Sequence, residues 1–132
     1  MAMDATPLRS EELLSLPPSR LVVTLYDETI GALRASIQAI HRKDIEARCN
    51  AVNSASELLA TLYLCLDHEQ GGEVADNLGR LYSFLIPRLQ RINVYNDVET
   101  AEDAIRLLLP LRDSWHELDR QIEAGSPVSP AA

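Results

Sequence analysis

The chain has 132 residues, with 12 lysines and arginines against 20 aspartates and glutamates, a formal net charge of −8. That length suits one domain around one core, and so acidic a balance excludes a nucleic-acid binder and disfavours docking on anionic lipid. Leucine (21 residues) and alanine (15) dominate while glycine (5) and aromatics (5%) are scarce, so the composition favours an all-α fold.

No apolar run approaches the roughly 20 residues needed to span a bilayer. The start, Met1-Ala2-Met3-Asp4, lacks the basic and apolar regions of a signal peptide. A cytoplasmic protein without membrane insertion is expected. Residues 1–17 precede the Pro17-Pro18 punctuation, and their Leu8, Leu13, Leu14 and Leu16 could fold back over the domain as a short N-terminal lid.

The first helix is predicted over residues 18–43, because Val23, Tyr26, Ile30, Leu33, Ile37 and Ile40 recur at steps of three and four. Asp44 can cap a second helix after a very tight turn. Over residues 45–67 that helix places Ile45, Cys49, Val52, Ser56, Leu59, Tyr63 and Leu66 inward. Residues 67–72, ending in Gly71-Gly72, read as a loop. A third helix over 73–93 turns Val74, Leu78, Leu81, Leu85, Leu89 and Ile92 to the core. Asn96-Asp97 makes the next turn, and the last helix, 97–122, buries Val98, Ala101, Ile105, Leu108, Leu111, Trp115, Leu118 and Ile122. Residues 124–132 have little to pack and read as a disordered tail. Short connections between long helices give an antiparallel up-down four-helix bundle over residues 18–123. Pro87 and Pro110 fall inside predicted helices, where each deletes a backbone hydrogen bond and should kink the rod.

Catalytic chemistry has no visible carrier. A di-metal bundle needs a Glu-x-x-His pair on each of two helices, and the nearest match is Asp113-Ser-Trp-His116 on one helix only. His41 sits at a helix end rather than mid-helix, as a phosphotransfer histidine would, and His68 reads as a solvated loop residue. Gly71-Gly72 follows a helix, so it is no phosphate cradle. Cys49 and Cys65 lie about 24 Å apart along one helix, beyond disulfide reach, and read as core thiols. No metal, cofactor or enzymatic activity is expected.

What the sequence carries instead is surplus apolar surface. The first and last helices are apolar over about 200° of arc, roughly twice what a simple bundle needs. The off-seam residues Leu21, Leu25, Leu58, Leu62, Leu64, Tyr82, Phe84 and Ile86 are therefore the candidates for contact with a partner helix. Homodimerisation, or adaptor-like binding of another protein, would use the same surface.

Several elements, in order, resemble the flagellin-specific export chaperones of the FliS family. They are Leu25-Tyr26-Asp27, the stretch LDHEQGGEVADNLGRLY at residues 66–82, Arg88-Leu89, Asn96-Asp97, Leu107-Leu108 and Trp115. The resemblance covers about residues 17–120. It implies a cytosolic, non-enzymatic helical bundle that wraps the C-terminal segment of flagellin in hydrophobic grooves. It further implies that the client is kept from premature polymerisation and delivered to the flagellar type III export gate. Two departures stand out. Family members usually carry aromatic residues ahead of the first helix, where they cap the client groove, and the first 20 residues here have none; the family's Ser-Pro before the first helix is Pro17-Pro18.

Overall fold

The computed structural model describes residues 18–125. It is an all-α bundle of four rods, the third made of two helices end to end: α1 (Pro18–Arg42), α2 (Ile45–Leu64), α3 (His68–Arg88), α4 (Gln90–Tyr95) and α5 (Val98–Glu123).

Aspartate begins three of these elements. Asp44 accepts from the Ala47 amide at 3.1 Å, Asp67 from the Glu69 and Gln70 amides at 3.1 Å each, and Asp97 from the Thr100 amide at 3.1 Å. Each satisfies amides that lack an intrahelical partner. The α1–α2 turn needs only Lys43 and Asp44. Lys43 takes φ 60°, so that the Asp44 amide reaches the Ala39 carbonyl at 2.9 Å and the Lys43 amide that of Ile40 at 3.0 Å. This is the Schellman closure, made here without glycine. Asn96, at φ 52°, closes α4 in the same left-handed conformation.

The segment expected as a loop over 67–72 is instead the capped first turn of α3. A break follows at Gly72, whose φ of 51° and ψ of −125° a side-chain-bearing residue would resist. The signal was the pair Asp67 and Gln70, a capping aspartate with glutamine three positions on. His68 accordingly lies in a helix, its ring 3.0 Å from the Asp76 carboxylate. The second helix ends at Leu64 rather than 67. The third rod changes helix at Leu89, two residues past Pro87, although the Leu89 amide still reaches the Leu85 carbonyl at 2.9 Å. Pro110 leaves α5 assigned as one continuous helix. Of the expected tail, Ala124 and Gly125 close α5; the rest, like the lid residues 1–17, lies outside the described residues.

Two cross-links set α5 antiparallel to α1. The Ser19 hydroxyl donates to Asp119 at 2.7 Å, and one turn pair further along Arg112 straddles Asp27 at 2.7 and 3.3 Å. One core runs through all the rods, built on Tyr26, Leu33, Leu59, Leu62, Tyr82, Leu85, Leu89, Ile92 and Leu108. The inward face of α2 is rotated from the expected one. Val52, Ala55, Leu59 and Leu62 are buried, while Ile45 and Tyr63 are exposed. On α3 Val74 is exposed and Ala75, Gly79 and Tyr82 face inward. Gly79 faces the α2–α3 junction, where a Cβ would make ordinary contact with Leu66 Cδ1 at 3.4 Å and Tyr63 Cε2 at 3.6 Å. Ile122 is also exposed, at the far end of α5. Neither cysteine is a core thiol: Cys65 is exposed and Cys49 half-buried.

Candidate protein-binding grooves

Several concavities open on the described surface, and three of them bear on protein binding. The first, about 260 Å³, lies where α1 begins and α5 ends. Pro18, Val22, Trp115, Leu118 and Ile122 wall it, Cys65 and Leu66 close the α2 side, and Leu62 and Tyr82 form its floor. Its geometry is pinned from two sides. Asp119 receives the Ser19 hydroxyl and, at 3.4 Å, the Arg20 guanidinium, and Arg20 also pairs with Glu123. Beneath the floor the Tyr26 and Tyr82 hydroxyls meet at 2.5 Å. Burial pushes both phenols above their ordinary range, and the Tyr26 bond raises Tyr82 further. Both stay neutral and act as buried cross-links, and burial likewise raises the Cys65 thiol.

The second groove, about 330 Å³, runs between α3 and α5. Phe84 and Arg88 stand on one bank, Asp103, Arg106 and Leu107 on the other, over buried Leu85, Leu89 and Ala104. The third, about 670 Å³, lies between α1 and α2 and is lined by small side chains, among them Ala32, Ala35 and Ala51. Leu58 and the Glu28 carboxylate share it; the Glu28 Oε2 atom is buried with no hydrogen-bond partner among the described residues, and burial raises the acid's pKa.

The candidate contact residues divide accordingly. Phe84 (55% exposed) and Leu64 (81%) stand free of the core. Leu58, Leu21 and Ile86 are half-buried, packed against it. Leu25, Leu62 and Tyr82 are corrected to core residues, at 1%, 2% and 1% exposure. Leu25 and Tyr26, neighbours in sequence, both lie inside because α1 is flanked on both sides by packed helices. Leu62 and Tyr82 reach the first cavity only as its floor. Trp115, expected to be structural, packs half-buried against the core and also forms part of that cavity's wall. Leu107 was legible only as part of a broad apolar arc.

The first cavity is apolar with few polar groups, and the second sets Phe84 and Leu107 among charged side chains; both are suited to a protein segment. Among the described residues no cluster of histidine, cysteine, aspartate and glutamate is placed to hold a metal, and no helix is long and apolar enough to cross a membrane. A family model described as "Flagellar protein FliS" matches residues 4–122. The chain belongs to the FliS family. It is 31% identical over 107 residues to the flagellar secretion chaperone FliS of Salmonella typhimurium, covering 80% of this chain and 79% of that protein. It is 33% identical over 98 residues to the flagellar secretion chaperone FliSB of Pseudomonas aeruginosa, covering 74% and 78%. With FliS of Bacillus subtilis the identity is 22% over 112 residues, covering 85% and 83%. Membership places this bundle among flagellar secretion chaperones, and the four rods described above are how this FliS-family chain folds.

Proposed function

We propose that the chain is a cytoplasmic export chaperone that binds the C-terminal segment of flagellin, blocks its premature polymerisation and passes it to the flagellar type III export apparatus. The observation that carries this reading is the pair of apolar sites that open outward over the buried core, at Trp115 and at Phe84–Leu107. An unfolded client that orders on binding loses several kcal/mol, so its affinity has to come from a wide apolar contact. Phe84, Leu64, Leu58, Leu21 and Ile86 supply that contact, without an enzymatic step.

Cys65 lines the first cavity and reports on its occupancy. In a Cys49→Ala background, adding a flagellin C-terminal peptide is expected to slow maleimide labelling of Cys65. Labelling at an unchanged rate under saturating peptide would remove this cavity from the client path.

A further inference from the structure

The outer row of α3 and α4 reads Arg80, Phe84, Arg88, Arg91, Tyr95, at steps of four, four, three and four, and every member is exposed. The backbone stays helical through Leu89, at φ −60° and ψ −23°, so the row continues across the join of the two helices. Arginine and aromatic are stacked in pairs: the Arg88 guanidinium carbon lies 5.6 Å from the Phe84 ring centre, and that of Arg91 5.1 Å from Tyr95. Such stacking holds a guanidinium over a ring while leaving its N–H edge free to bind a carboxylate.

The charges along this row are not all spoken for. Arg91 pairs with Asp97, and Arg106 across the groove pairs with Asp103. Among the described residues Arg80 bonds only the Asn77 side chain, and Arg88 has no carboxylate partner. The next acid up the row, Asp76, is held by His68. In a chain of net charge −8, two arginines without acid partners among the described residues flank an exposed phenylalanine at the mouth of the groove. A second copy docked by the same face would set arginine against arginine here. A partner with carboxylates at the matching turns would neutralise both.

We propose that the α3–α5 groove selects an acidic amphipathic helix, whose aliphatic residues enter between Phe84 and Leu107 while glutamates or aspartates one turn to either side meet Arg80 and Arg88. This rests on the groove being the client site, and adds the charge chemistry by which a client segment is told from other apolar helices.

Three fluorescent helical peptides of about 18 residues, sharing one leucine face and differing only in having Glu, Gln or Lys beside it, test the idea by anisotropy with the full chain. The Glu peptide is expected to bind about tenfold tighter than the Lys peptide, two exposed ion pairs being worth about one decade. The preference should collapse in the Arg80→Gln/Arg88→Gln double variant and in about 0.5 M salt, while Phe84→Ala weakens all three peptides. All substituted side chains are exposed, and unchanged thermal unfolding shows that the fold is kept. Equal binding of the Glu and Lys peptides, a preference that survives in the double variant, insensitivity to Phe84→Ala, or a homodimer that dissociates in the double variant would each overturn the proposal. A flagellin C-terminal peptide run alongside separates the two readings. If flagellin binds and charge is ignored, only the selectivity fails; if the Glu preference holds and flagellin does not bind, only the client's identity fails.

Discussion

The Tyr26 and Tyr82 hydroxyls, 56 positions apart in sequence, meet at 2.5 Å in the core and join α1 to α3 beneath the first cavity. The residues are 0% and 1% exposed, so neither hydroxyl has water to fall back on. Replacing either tyrosine with phenylalanine keeps the packing and strands the other hydroxyl, at a cost of about 1–3 kcal/mol. The double variant removes both polar groups and should lose less than the sum of the singles. Urea denaturation of the four proteins checks this, and strict additivity would mean that the bond contributes nothing.

Gly31 and Gly72 should respond to alanine with opposite signs. Neither Cβ would touch a neighbour within 4 Å, so the backbone decides. Gly31 lies mid-helix in α1, where alanine gains about 1 kcal/mol. Gly72 sits at φ 51° in the α3 break, where alanine loses about 1–2 kcal/mol. Thermal unfolding of the two variants would show Tm moving up for the first and down for the second.

Glu28 gives stability a pH dependence of unusual sign. Burial raises its folded pKa above the ordinary 4.5, so the folded chain holds the proton more tightly than the unfolded one. This contribution is fully present below the unfolded pKa and is lost as pH rises through the folded value. Glu28→Gln cannot ionise, so it should be more stable than the parent at pH 7, with the gap closing near pH 4. Denaturation at the two pH values measures it, and a variant less stable at pH 7 would show that the carboxylate has a partner.

The number of rods, the positions of two of the three turns and the caps at Asp44 and Asp97 were legible in the sequence because each rests on local chemistry. Val23, Tyr26, Ile30 and Leu33 repeat on one face of α1 and are buried as their spacing requires. The face of α2 was harder. Ile45 and Tyr63 fit a three-four repeat as well as Ala55 and Leu62 do, and only packing against α1 and α3 settles which set goes inside. Leu25, Leu62 and Tyr82 were misplaced for the same reason: breadth of apolar arc shows that a helix has more surface than one partner can cover, but not which neighbour covers it. The Arg80–Tyr95 row was hidden differently. Its spacing is that of a buried stripe, and pattern alone reads arginines on it as ordinary solvated charge.

The most direct test of the central claim is a calorimetric titration of the full-length chain with a peptide from the flagellin C-terminus at several temperatures. The account predicts binding with a clearly negative heat-capacity change, weakened about tenfold by Phe84→Asp, which puts a charge among the groove's apolar contacts. No binding at peptide concentrations of about 100 μM, or binding without a heat-capacity change, would contradict it.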